Sequence, residues 1–420
     1  MKKISFALAF ALMAAEPAFA IKINLFDIGG AGRDTAAYQS MRTAANFWER
    51  VLTNNTTVNF NVSFATIGEG RIAEAESSIN VASVSNILAA LDRSRSSTLD
   101  ARTVLPTTRA SAFQGTQAVD ALVSGPRTSG DPFSTPPRIL DNDGSANNSF
   151  LEANTGVMKA LGLTVDYYDR GSLPNLSEAD RANQIDGTIR FAPISGLDFD
   201  ASDGIQGFDF LGTAIHEMGH ALGFWSGVDI YDNPAAGQFN LNQYPLMSTW
   251  DLFRYSNAGR DAGVLDWSIG NATASPTRGA PYFSIDGGAS AYEGSVLASG
   301  ASVSGMSASH WGFRIPDDFD FTQPLLSQGV MQPAASFNQF AEVTALDIAA
   351  FDALGYSVAL DVIGRRDARF STQYIQSVNG NVAFGAVPEP TTWAVIFGGI
   401  GLVGSALRRR TATPMRNVLA

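Results

Sequence analysis

Phe208-Asp209-Phe210-Leu211-Gly212-Thr213-Ala214-Ile215-His216-Glu217-Met218-Gly219-His220-Ala221-Leu222-Gly223-Phe224 is the most informative run in this chain of 420 residues. Leu211, Ile215, Met218 and Leu222 recur on one face of a helix, and Gly223 stands where a helix ends. His216 and His220 lie one turn apart on a common face, so both imidazoles can reach a single ion. Glu217, next to the first of them, can touch a water that the ion polarises. Two neutral imidazoles suit zinc, which lowers the pKa of bound water toward about 7 and lets a carboxylate take its proton. That is the chemistry of carbonyl hydrolysis. Surface histidines on an ordinary helix would be the bland alternative, but the whole chain holds only three His, so a chance i, i+4 pair around a Glu is rare.

A catalytic zinc needs a third protein ligand. Ser226 falls at a spacing used by short zinc motifs, but a serine hydroxyl binds zinc poorly, and Asp229 is near but off register. The remaining histidine is His310, in Ser309-His310-Trp311-Gly312-Phe313-Arg314. Spacing alone leaves it open as a ligand or as a satisfied core histidine.

Outward from this helix, the chain alternates between periodic and irregular stretches. From Asp34, read as an N-cap, Ala37, Met41, Ala44, Trp48 and Leu52 recur at helical spacing. Val58 to Phe64 alternates with period two, as a half-buried strand does. Ser83 to Leu91 suits another helix, Ser94 to Pro137 reads as loops, and Thr188 to Phe191 as a second strand. Residues 229 to 309 show no sustained periodicity. Thr344 to Leu354 forms a last helix, opened by a capping box from Thr344 and Asp347. Asp141, Asp143, Ser145, Ser149 and Glu152 place oxygens at the spacing of an EF-hand-like calcium loop, yet Ala146 stands where that loop needs glycine. A hydrogen-bonded turn is the competing reading. The acidic runs Asp198 to Asp203 and Asp317 to Asp320 read as solvated loops.

Composition limits the function classes. With 45% hydrophobic and 16% charged residues the chain can bury a core of one large or two modest domains. A formal charge of -12 supplies no basic field for a phosphate backbone, which excludes nucleic acid as a natural partner. The absence of Cys removes disulfides, thiolate nucleophiles and cysteine metal sites together.

His216 to Phe224, with Ser309-His310-Trp311 after a long insertion, resembles the leishmanolysin branch of the metzincin zinc proteases. Gly329-Val330-Met331-Gln332-Pro333 is similar to the Met-turn of that family, and Leu346 to Tyr356 to its closing helix. The resemblance implies an α+β fold with a twisted sheet, an edge strand, an active-site helix and a C-terminal subdomain carrying the Met-turn. It also implies one catalytic Zn2+ held by His216, His220 and His310, Glu217 as general base, Met331 beneath the metal, and an extended peptide or protein as substrate. Thr188 to Phe191 is the candidate edge strand for that substrate. The chain departs from the family in lacking its cysteines. Two other functions share these ligands: a non-catalytic, zinc-stabilised surface or matrix protein, and a zinc hydrolase of non-peptide amides. The intact Glu217 argues for a hydrolase.

Both ends read as addresses. Lys2, Lys3, the apolar run Ile4 to Ala15 and Ala18-Phe19-Ala20 form a signal peptide for signal peptidase, with the mature chain starting near Ile21. Val387-Pro388-Glu389-Pro390, the apolar stretch Trp393 to Leu407 and Arg408-Arg409-Arg410 resemble the PEP-CTERM sorting signal of Gram-negative bacteria, which implies exosortase as processing enzyme and a transient inner-membrane anchor. A plain C-terminal anchor is the alternative. The expected division is therefore 1–20 signal peptide, 21–224 N-terminal subdomain, 225–309 insertion, 310–360 C-terminal subdomain, 361–386 linker and 387–420 sorting signal.

Overall fold

The computed structural model describes residues 20–126, 135–166, 183–232, 240–270, 279–300, 306–314, 327–335 and 337–384. The signal peptide up to residue 19, the whole C-terminal signal and the acidic run at 317–320 lie outside them. A four-stranded sheet and two helices build the part of the fold that carries His216 and His220. Strand β1 (Lys22–Gly29) leads into helix α1 (Ala36–Val51), which returns to strand β2 (Thr57–Phe64). Strands β3 (Ala73–Ser77) and β4 (Gly187–Phe191) complete the order β1-β2-β4-β3. Neighbours are parallel except β4 and β3, which run antiparallel. Period-two alternation in β2 puts Val58, Phe60 and Val62 wholly inside. The architecture is mixed α/β with several smaller sheets.

The edge strand differs from expectation. Thr188 to Phe191 lies in β4, between β2 and β3, so it is an interior strand and β3 is the edge. Ala73-Glu74-Ala75-Glu76-Ser77 carries no β-branched or aromatic residue, and its propensity gives no sign of a strand. Tertiary pairing supplies what propensity lacks: the ladder to β4, and Arg190 reaching Glu74 and Glu76 at 3.4 and 3.1 Å.

Helix α2 (Phe210–Ala221) holds the zinc-type motif. Its N-cap Asp209 accepts from Gly212 N–H, Ala341 N–H and the Thr372 hydroxyl, and so joins the start of the helix to two later segments. The apolar face packs on α1, where the Trp48 indole N–H donates to Ile215 O at 3.0 Å in the core. At the other end every late carbonyl finds a donor. Ser77 Oγ reaches His220 O, Asn154 Nδ2 reaches Ala221 O and the Tyr356 hydroxyl reaches Leu222 O. Gly223 then turns the chain at φ +117°, where a Cβ would also meet Val157 at 2.5 Å.

The described residues through Val382 form one compact unit. The stretch read as a linker from 361 is folded over most of its length. Strand β5 (Glu342–Thr344) opens helix α3 (Ala345–Ala353) with the expected Thr344/Asp347 capping box, and strand β6 (Arg369–Ser371) pairs antiparallel with β5. Helix α4 (Thr372–Ser377) follows and packs on α1, with Ile375 fully buried. These elements are too short to show a period. Similarly, the expected loops between 94 and 137 include a strand, Ala121–Ser124, which pairs with Arg138–Asp141 and with Leu265–Trp267 of the insertion. The N-cap of α1 is Thr35 rather than Asp34. At the far end of α1, Ile21 N–H donates to Leu52 O and the Arg50 guanidinium to Val382 O.

Asp352 on α3 is fully buried, and burial, with Asp100 nearby, pushes its carboxyl up to about 8. Ser97 Oγ donates to its Oδ2 at 2.8 Å, while Oδ1 is buried without a hydrogen-bond partner. Because the folded value lies above the ordinary 3.8, the protonated group suits the fold at low pH and this contribution is lost as pH rises toward about 8. Asp352→Asn is therefore expected to gain stability relative to the natural chain as pH goes from 4 to about 8, read by thermal melts at several pH values. A gap that stays constant across that range would contradict it.

Candidate metal centre

The three histidines of the chain meet. His220 Nε2 lies 2.9 Å from His216 Nε2 and 3.2 Å from His310 Nε2, and the three ligand atoms all fall within 4.8 Å of one another. Among the described residues this is the one group of three or more His, Asp or Glu so gathered. Each ring is oriented from behind. His216 Nδ1 faces Val330 O at 2.7 Å, His220 Nδ1 faces Phe224 O at 2.6 Å and His310 Nδ1 faces Ser307 O at 3.2 Å. A carbonyl oxygen can only accept, so each Nδ1 carries the proton and each Nε2 turns a lone pair to the common point. Burial lowers the pKa of all three rings, further for His220 because His216 and His310 flank it, and to about 3 for His310. The rings are therefore neutral, which is the ligating form. Nitrogens about 2.0–2.1 Å from a tetrahedral zinc ion sit about 3.3 Å apart, close to the spacings found here.

Glu217 lies on the same helix with 6% of its surface exposed. Burial pushes its carboxyl up to about 8, Glu74 of the edge strand adds to the rise and Arg71 opposes it. The group thus shares its surroundings with β3, against which α2 packs. A cation nearby would favour its ionised form.

Met331 is fully buried against the backbone of α2. A Cβ on Gly219 would lie 2.5 Å from its sulfur, so the residue before His220 must be glycine for the methionine to fit there. Asp347 organises this region, a role that its capping-box position alone does not reveal. Its fully buried carboxylate accepts from Trp311 Nε1, Val330 N–H, Met331 N–H and both the N–H and hydroxyl of Thr344. A Cβ on Gly329 would lie 2.1 Å from that carboxylate, so only glycine lets the turn approach so closely. The one available signal in the sequence is an acid within the otherwise apolar Ala345-Leu346-Asp347-Ile348-Ala349-Ala350.

The shorter-range ligand candidates are used elsewhere. Ser226 Oγ donates to buried Asp251 at 2.6 Å. Asp229 accepts from the Ser307 hydroxyl and Ala308 N–H, and thus fastens the loop before His310. The calcium candidates do not assemble. Asp141 accepts from Asn147, Asp143 from Ser145 N–H and Asn242, and Glu152 lies on the strand Phe150–Asn154. A short helix, Ala146–Ser149, takes up the second half of the proposed loop, as expected where Ala146 replaces its turning glycine.

The PEP-CTERM protein-sorting motif matches residues 386–410. It marks export in Gram-negative bacteria with membrane-associated sorting, and exosortase as the processing enzyme. Comparison with curated proteins and with solved structures gave no significant match. Among the described residues no helix is long and apolar enough to cross a membrane, and Trp393 to Leu407 lies outside them.

The Gly219 contact gives a direct test of the floor of the site. Gly219→Ala is expected to cost about 1–3 kcal/mol by overpacking against Met331 and to weaken metal binding, since His220 adjoins it. Adding Met331→Ala should recover part of the affinity, measured by metal titration and urea unfolding. Strictly additive losses in the double variant would mean the two residues do not press on each other.

Proposed function

We propose that the chain is an exported, zinc-dependent metalloendopeptidase of metzincin-like type. The observation that carries this reading is the convergence of three neutral Nε2 acceptors beside a buried glutamate on the same helix. Three histidines form a donor set that suits zinc and leaves a position for water. When bound, the metal supplies Lewis acidity toward a carbonyl and makes water ionise near neutral pH.

The remaining work falls to the chain. Glu217 accepts the proton of the attacking water on its carboxylate and returns it to the departing amine. β3 is the edge strand of the sheet and packs along α2, so an extended peptide can add to the sheet there and bring its scissile carbonyl to the histidines. The Ala73 and Ala75 side chains are small and leave room for that backbone. Met331 and Gly219 form the floor, and the Val330, Phe224 and Ser307 carbonyls hold the rings in the ligating tautomer.

Zinc content and casein cleavage of residues 21–387, with and without a chelator, test the reading. Glu217→Gln should retain zinc and lose about 100-fold or more of the hydrolysis, because the ligands remain and the proton acceptor does not. A variant as active as the natural chain would remove Glu217 from the mechanism. Processing makes a separate claim: exported protein should end close to Pro388-Glu389-Pro390, as read by mass spectrometry of its C-terminal peptide. Recovery of an intact Trp393 to Leu407 segment from mature protein would favour a plain anchor.

A further inference from the structure

Resting on the metal reading of the three histidines, we propose that Asp347 and Asp229 are positioning residues, each delivering negative charge to a ligand histidine through one intervening peptide group. His216 Nδ1–H donates to Val330 O, and the N–H of that same Val330–Met331 peptide donates to Asp347 Oδ1 at 3.3 Å. His310 Nδ1–H donates to Ser307 O, and the N–H of that same Ser307–Ala308 peptide donates to Asp229 at 2.8 and 3.0 Å. The two arrangements repeat the order carboxylate, peptide, imidazole on unrelated segments. A peptide polarised at its N–H end by an anion is a stronger acceptor at its oxygen, and chains of hydrogen bonds strengthen one another in this way. The ring it faces becomes a better electron donor at Nε2, as when a carboxylate contacts a metal-bound histidine directly.

His220 supplies the contrast within the same site. Its Nδ1–H donates to Phe224 O, but the N–H of the Phe224–Trp225 peptide donates to Gly223 O, a neutral partner. The centre therefore has two carboxylate-backed ligands and one backed by backbone alone.

With only three His in the chain, their ring nitrogens can be followed singly by long-range 1H–15N spectra of the full, metal-free protein. Asp347→Asn should move the His216 ring resonances and Asp229→Asn those of His310, with His220 unchanged in both. Zinc affinity should fall about tenfold or more in each variant, the usual cost of losing an outer carboxylate partner. A zinc affinity that falls while the assigned ring stays still, or three rings that move together in either variant, would overturn the proposal in favour of general loosening. Should Asp347→Asn fail to fold, Asp229→Asn decides alone through His310, because that acid lies on the short 3-10 helix Gly227–Asp232 rather than on one of the core α-helices. A natural chain that binds no zinc would defeat the metal reading, yet the ring shifts in metal-free protein would still report on the two relays.

Discussion

Two imidazole lone pairs facing each other at 2.9 Å repel unless a positive charge lies between them, and the fold is arranged to keep three such rings together. Nothing in the rings themselves would hold that geometry. The restraint comes from behind, through three main-chain carbonyls that each occupy one Nδ1–H. Those carbonyls lie on three different turns, so the site exists only if the turns are fixed against α2. The helix is fixed in its turn by Trp48 at its middle, Asp209 at its start and Tyr356, Asn154 and Ser77 at its end. Much of the polar interior of this protein therefore serves the alignment of three nitrogen atoms.

The hardest part of that alignment is the return of the chain to the site 90 residues after His220. Buried acids accomplish it. Asp251 binds Ser226 Oγ and the amides of Gly227 and Ser248, which fixes the exit from α2. Asp229 fastens the approach to His310, and Asp347 then ties Trp311 to the turn containing Met331. Apolar contacts fill the space between these anchors, with Phe224 at 4.6 Å from Trp250 and 5.0 Å from Trp311, ring centre to ring centre. Each acid is surrounded by donors that satisfy its charge, the condition under which burial of a carboxylate is tolerated.

What could be read in the residues beforehand follows from the range of the physics involved. Helix α2, with its i, i+4 pair and terminal glycine, is a local pattern, and so are α1, β2 and the capping box of α3. His310 and Met331 were named through a family resemblance, since no local rule links them to a helix so far back. The strand β3 leaves no local signal because Ala and Glu carry no strand preference, and without it Thr188 to Phe191 reads as an edge strand. The segment from Arg369 to Val382 hid its structure in elements of three and six residues. The anchoring roles of Asp347, Asp229 and Asp251 are not legible either, because a single acid in a sequence does not reveal which distant amides will surround it.

Ile21 and Val382 both bond to the last turn of α1, the first through Leu52 and the second through Arg50. The folded body thus begins and ends at a single spot, and the polypeptide makes a closed circuit between. A short linker could join these points while new ends were opened in a surface loop, since neither the sheet nor the three histidines lies across the junction. In architectural terms the folded body is a permutable ring, and the junction of Ile21 with Val382 marks only one of several places where that ring could be cut.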